Sequence, residues 1–243
     1  MTEVRKAELA ASLAEVEERI ARACKAAGRE RDEVRLLAVT KTFPALDAAL
    51  LADLGTLDLA ENRDQEAGAK TDEVAELRPG NGIRWHMVGS LQRNKARSVV
   101  RWAAEVQSVD SERLADALAK ASRSALESGQ RDQPLDVLIQ VSLDDDPKRG
   151  GCRVNELSQL AERIAHVGDI RLRGLMAVAP LGTEPAEAFE RLARASERLR
   201  EDHPNAREVS AGMSNDLEQA IAYGSTCVRV GTALLGGRGL ASP

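Results

Sequence analysis

Short apolar runs alternate with amphipathic helical patterns along this whole chain, and that alternation limits the folds open to it more than any other feature. A strand followed by a helix and then by another strand of the same sheet pairs in parallel, because the crossover needs a dozen or more residues. Parallel strands carry helices on their outward faces and so read as short continuous apolar stretches. Such runs fall at 34–41 (VRLLAVTK), 57–60, 83–88 (IRWHMV), 105–109 (EVQSV), 135–141 (LDVLIQV), 170–178, 207–210 and 227–230 (CVRV). Helical spacing predicts helices over 45–54, 62–77, 91–103, 111–128, 154–167, 185–202 and 214–223, with room for a short one after the last strand. Eight βα units in 243 residues is the arithmetic of a (β/α)8 TIM-type barrel, one α/β domain over 1–243. A doubly wound open sheet is the alternative, since periodicity does not show closure. Ahead of the first strand, Leu9, Leu13, Val16, Ile20 and Cys24 recur at steps of three or four and Gly28 marks a stop, which predicts an extra N-terminal helix over 1–28 on the barrel bottom or flank.

Composition removes several function classes. With 39 acidic against 34 basic residues the net charge is −5, which gives no polycationic footprint for nucleic acid or an anionic membrane. Aromatic residues are 2% of the chain, too few for base stacking, so the core must be aliphatic. No apolar run approaches the roughly 20 residues that span a bilayer, and the charged N-terminus has no signal-peptide core. Cys24, Cys152 and Cys227 are far apart, and with His86, His166 and His203 they match no metal-ligand spacing. The expectation is a reduced, cytoplasmic, metal-free protein.

A parallel barrel carries its site at the C-terminal ends of its strands. Standing there are Thr40, Lys41 and Thr42; Glu61 and Asn62; His86, Gly89 and Asn94; Ser142, Asp144 to Asp146 and Lys148; Ser210 and Gly212 to Asp216; and Arg229, Gly231 and Thr232. The segments SAGMSNDLEQAI and VRVGTALLGG place glycines and hydroxyls at strand-to-helix turns seven and eight, where barrels often hold phosphate. The bland alternative makes Ser214 an N-cap and Gly231 a turn. Lys41 directly ends a buried apolar run, a setting that favours the neutral amine needed to form a Schiff base with an aldehyde. Many strand-end lysines merely reach solvent. Combined, the lysine, the phosphate cradle and Arg229 in a buried strand point to an aldehyde-bearing phosphate cofactor, pyridoxal 5′-phosphate.

The ordered segments AVTKTFP (38–44), AENRDQE (60–66), WHMVGSLQRNK (85–95), GLMAVAP (174–180), SAGMSNDLEQAI (210–221) and VRVGTALLG (228–236) resemble the pyridoxal-phosphate homeostasis protein family over nearly the whole chain. The resemblance implies a barrel similar to the N-terminal domain of alanine racemase, with the cofactor bound covalently. It implies that Lys41 carries the Schiff base, Asn62 stands near the ring, Met213 and Ser214 form the pair whose serine meets the phosphate, Arg229 faces the pyridine nitrogen, and Gly231 and Thr232 bind phosphate. The chain departs from the family pattern at Ala60, at Arg63–Asp64 and at Met87, which bears on the pocket wall near Asn62 and His86.

His86 reads as a satisfied structural histidine and Lys148 as a solvated loop charge, although the family often has a lysine there. Relatives that racemise amino acids use a second base, a tyrosine from a β-rich partner domain, and this sequence shows no such domain. Its single tyrosine, Tyr223, falls in a helical pattern. The first reading is therefore a non-enzymatic protein that buffers or delivers pyridoxal phosphate, possible partners being apo-enzymes that use it, with a monomer expected and a weak dimer as the alternative. The second is a weak amino-acid racemase. The third is a cofactor-independent barrel enzyme with Lys41 as an ordinary base.

Overall fold

In the computed structural model, which describes residues 2–144, 150–180, 182 and 184–237, the apolar runs are strands of one parallel sheet that closes on itself in sequence order. The strands are β1 (Arg35–Val39), β2 (Asp58–Glu61), β3 (Arg84–Met87), β4 (Glu105–Val109), β5 (Leu135–Gln140), β6 (Ile170–Met176), β7 (Glu208–Ser210) and β8 (Cys227–Val230). The helices are α1 (Thr2–Ala26), α2 (Ala45–Asp53), α3 (Asp64–Leu77), α4 (Ala96–Val99), α5 (Glu112–Glu127), α6 (Leu157–Val167), α7 (Pro185–Asp202), α8 (Leu217–Ala222) and α9 (Thr232–Leu235). Closure rests on β1 against β8, where Arg35, Leu36, Leu37 and Ala38 stand opposite Cys227, Val228, Arg229 and Val230. That pairing rules out the open sheet.

Side chains alternate across each strand. The outward set meets the apolar stripes of the helices and makes the aliphatic layer that the composition requires. On one side Leu36, Ala38 and Leu59 pack with Ala48, Leu50 and Leu51 of α2. On the other, Val106, Val137 and Ile139 pack with Leu114, Leu118, Leu160 and Phe189. The inward set is different. Leu37, Ala60 and Cys227 form a small apolar cluster, but His86, Glu105, Gln107, Ser210 and Arg229 are also buried. Barrel interiors of this kind are usually filled by branched aliphatics.

The helix expected over 91–103 is a helical turn at Arg93–Lys95 followed by the four residues of α4. The β-branched pair Val99–Val100 and Trp102 lose rotamer freedom in a helix, and here all three pack against the core. At the eighth strand–helix turn the short helix for which room remained is α9. The N-terminal helix lies on the flank of the barrel and not on its bottom: α1 packs along α2, α8 and α9, burying Leu9, Val16, Ile20 and Cys24. Arg5 fixes it there by pairing with Asp47 and donating to the Leu235 carbonyl at 3.0 Å. Asp145, Asp146 and Lys148 lie outside the described residues.

Candidate functional site

Alternation carries the inner face of β1 from Val39 to Lys41, that of β2 from Ala60 to Asn62, and that of β8 from Arg229 to Gly231. These converge at the C-terminal mouth of the barrel. Lys41, Asn62, Met213, Ser214, Arg229, Gly231 and Thr232, the seven residues singled out in the sequence, line one cavity of about 590 Å³ there. Val39, Val88 and Met176 give it apolar walls. Its size suits a small organic ligand.

Lys41 is exposed at this mouth, in a tight turn closed by Phe43 N–H donating to the Thr40 carbonyl at 3.1 Å. Thr42, the third residue of the turn, has φ of 67°, the only positive φ outside glycine among the described residues. That conformation costs a non-glycine residue roughly 1–2 kcal/mol and persists only where the surroundings impose it. A buried clamp behind the turn does so. Lys70 Nζ donates to the Thr40 carbonyl at 2.8 Å and to Glu61 Oε1 at 2.5 Å, and the Thr40 hydroxyl donates to the same carboxylate oxygen at 2.6 Å. Glu61 and Thr40, both placed at strand ends by the sequence, therefore face the helix layer and not the cavity.

Arg229 is 5% exposed and rigidly held. Nη1 donates to the Ser210 carbonyl at 2.7 Å and to its hydroxyl at 2.8 Å, and Nη2 to the Ala177 carbonyl at 2.7 Å. Burial lowers the pKa of this guanidinium from its ordinary value, a shift opposed by nearby Cys227 and Asp216. At the seventh strand–helix turn, Asp216 occupies the N-cap position of α8 without a side-chain bond to the helix and accepts from Met213 N–H at 2.6 Å; the helix begins at Leu217, and Ser214 is not its N-cap. The backbone N–H groups of Ser214 and Asn215 donate to no backbone acceptor among the described residues. Opposite them, a Cβ on Gly231 would stand 3.3 Å from the Val39 carbonyl oxygen, so a side chain there would crowd β1. The amine, the guanidinium, the hydroxyls of Ser214 and Thr232, the amide donors and the apolar walls together fit a flat, aldehyde-bearing phosphate ester.

Three supports hold the site from behind, and two of their residues, Arg19 and Lys70, were not foreseen. Arg19 of α1 reaches across and donates to the Ser214 carbonyl at 2.6 Å while pairing with Glu218. Gly89 passes so close to Asn62 that a Cβ would meet its carbonyl oxygen at 2.1 Å, so only glycine lets Asn62 take its place. Glu61 and Lys70 are nine residues apart, a separation without helical or strand period. His86 is fully buried at the other end of the barrel, with Nδ1 3.0 Å from Glu105 Oε1 and Nε2 2.8 Å from Asp58 Oδ1. Its reading as a structural histidine fits these two partners. Polar residues inside runs that should be wholly apolar, such as Gln107 in EVQSV, were the available signal for this interior. Cys24, Cys152 and Cys227 are buried and unpaired, and among the described residues no three His, Cys, Asp or Glu side chains are grouped to hold a metal ion.

A parallel barrel gathering one amine, one guanidinium and a glycine–hydroxyl turn at its mouth defines a protein of the alanine racemase N-terminal domain class, and that family matches residues 11–239. Within it, the chain belongs to the pyridoxal phosphate homeostasis protein family. It is 46% identical over 247 residues to the pyridoxal phosphate homeostasis protein of Mycobacterium leprae, covering 98% of this chain and 96% of that one. Among solved structures it is similar to an unknown protein from Bifidobacterium adolescentis, with a TM-score of 0.86 and 33% identity over 95% of this chain and 96% of that one. It is also similar to PipY of Synechococcus elongatus with PLP bound, with a TM-score of 0.77 and 32% identity over 94% of this chain and all of that one.

Proposed function

We propose that this chain is a pyridoxal 5′-phosphate-binding protein of vitamin B6 homeostasis that holds the cofactor as a Schiff base on Lys41 and either buffers it or delivers it to apo-enzymes. The observation that carries the reading is the convergence of Lys41, Arg229, Ser214 and Thr232 on one cavity. The relatives' names and the PLP held by PipY support it. The bound group would supply an aldehyde, and Lys41 would supply the amine that joins its carbon with loss of water. Ser214, Gly231 and Thr232 would hold the phosphate, Asn62 and Met213 would border the ring, and Arg229 would donate to the ring nitrogen.

The same residues favour holding over turnover. Guanidinium keeps its proton, so the ring nitrogen it faces need not gain one, and an unprotonated ring is a poorer electron sink. Tyr223, the single tyrosine, ends α8 and does not line the cavity, so it offers no second base. We read residues 1–243 as one monomeric cytoplasmic domain without nucleic-acid or membrane partners. Its free buried cysteines support that placement.

A visible absorbance spectrum tests the reading. The protein mixed with pyridoxal phosphate is expected to turn yellow, Lys41→Ala to stay colourless while folded, and borohydride trapping to label the Lys41 peptide. A label elsewhere sinks the assignment, and a colourless wild type returns Lys41 to an ordinary base. An amino-acid panel with chiral analysis is expected to show no Lys41-dependent multiple turnover; such turnover would restore the racemase reading.

A further inference from the structure

A chain of buried polar side chains crosses the barrel interior beneath Arg229. The Ser210 hydroxyl donates to Gln107 Oε1 at 2.6 Å, and Gln107 Nε2 donates to Glu105 Oε1 at 2.7 Å. Glu105 in turn accepts from His86 Nδ1, whose other nitrogen meets Asp58. Arg35 reaches Asp58, Glu105 and Glu208 from below. Every link from Ser210 to His86 is at most 1% exposed. Glu105 Oε2 has no hydrogen-bond partner among the described residues, and an orphaned buried acceptor destabilises a fold. An aliphatic filling would avoid that penalty.

The two ends of this chain fix its direction. Arg229 can only donate, and the Glu105 carboxylate can only accept. Gln107 must therefore turn its NH2 to Glu105 and its carbonyl oxygen to Ser210. The Ser210 hydrogen is then committed to Gln107, which leaves its lone pairs for Arg229. We propose that Ser210 and Gln107 are positioning residues for Arg229, with the Glu105–His86 pair at the barrel bottom as the anchor that sets their polarity. Resting on the cofactor reading of the site, this makes the barrel floor a determinant of how the guanidinium meets the ring.

The test is a double-substitution cycle. Ser210→Ala and Gln107→Leu are each made in the wild type and in Arg229→Gln, and the dissociation constant for pyridoxal phosphate and the absorbance maximum of the bound form are measured. Each single substitution is expected to weaken retention by about tenfold, the scale of one hydrogen bond to a charged group, and to shift the absorbance maximum. In the Arg229→Gln background the same changes should add less than about twofold, because residues acting through one another are not additive. Ser210→Thr, which keeps the hydroxyl, should restore the wild-type values. Equal effects in both backgrounds overturn the proposal, as does a silent Ser210→Ala. In the cofactor-free protein the Arg229 Nε–H resonance should broaden or shift in Ser210→Ala, the milder variant, and in Gln107→Leu. That resonance decides the matter even if the wild type takes up no cofactor: an unchanged signal removes the positioning role, whereas a changed signal with no uptake removes only the cofactor reading.

Discussion

Lys41 illustrates how much of a site residue's behaviour is set behind it. Its own side chain is exposed, yet the turn carrying it is pinned through Thr40 by a buried Glu61–Lys70 pair and bent through a strained Thr42. The amine can therefore present itself at the mouth without being buried. The phosphate end rests on smaller groups. Ser214→Ala and Thr232→Val are each expected to weaken pyridoxal phosphate retention by roughly 1–3 kcal/mol, the value of a hydrogen bond to a charged partner. Equilibrium dialysis measures this, and wild-type affinity in both variants would move the phosphate elsewhere. Asp216 also lines the cavity, and one oxygen of its carboxylate accepts from Met213 N–H at 2.6 Å.

Among the elements, α1 does more than cover the flank. Arg19 ties the helix to the Ser214 carbonyl. Arg19 and Glu218 are partly exposed, so their ion pair contributes little to stability. Arg19→Ala is accordingly expected to lower unfolding free energy by less than about 1 kcal/mol while loosening the turn that carries Ser214. Urea unfolding combined with dialysis separates the two effects. Unchanged retention would reduce α1 to packing. The shrinkage of α4 to Ala96–Val99 follows the same logic in reverse, since burial of Val99, Val100 and Trp102 overrides a helical pattern with no cap to hold it.

On the scale of the whole molecule, the charged floor of the barrel makes stability depend on pH. Burial disfavours the His86 imidazolium, but hydrogen bonds to Asp58 and Glu105 outweigh it and raise its pKa. Burial likewise opposes ionisation of Glu105, yet the hydrogen bond and charge of His86, together with Arg35 and Gln107, hold its pKa down to about 2. A raised histidine contributes stability that is fully present below its ordinary pKa of about 6.5 and is lost as pH rises through the folded value. A depressed carboxylate contributes stability that is lost only as pH falls toward about 2. Urea unfolding at mildly acidic, neutral and alkaline pH should therefore show a loss on the alkaline side that His86→Gln removes. A loss that persists in the variant would assign it to another group. Delivery is a property of the same whole molecule. Loaded protein mixed with an apo-enzyme and a trap for free cofactor should still restore activity; recovery abolished by the trap would leave only buffering.

The sequence by itself determined the number and order of the βα units, because strand alternation is local. The seven residues that share the cavity stand at strand ends and turns, and it was the family resemblance that separated them from the other residues there. The sequence also marked its own exceptions, in the polar letters His86, Gln107 and Arg229 inside buried runs. Closure of the sheet was not local, since it depends on β1 meeting β8 across nearly the whole chain. The partners of those polar letters were equally hidden. Gln107 meets Ser210 at a separation of 103 residues, and Arg19 meets Ser214 at 195. No periodic pattern encodes contacts that exist only once a curved sheet has brought opposite strands face to face, so tertiary structure alone decided which side chains hold the site in place.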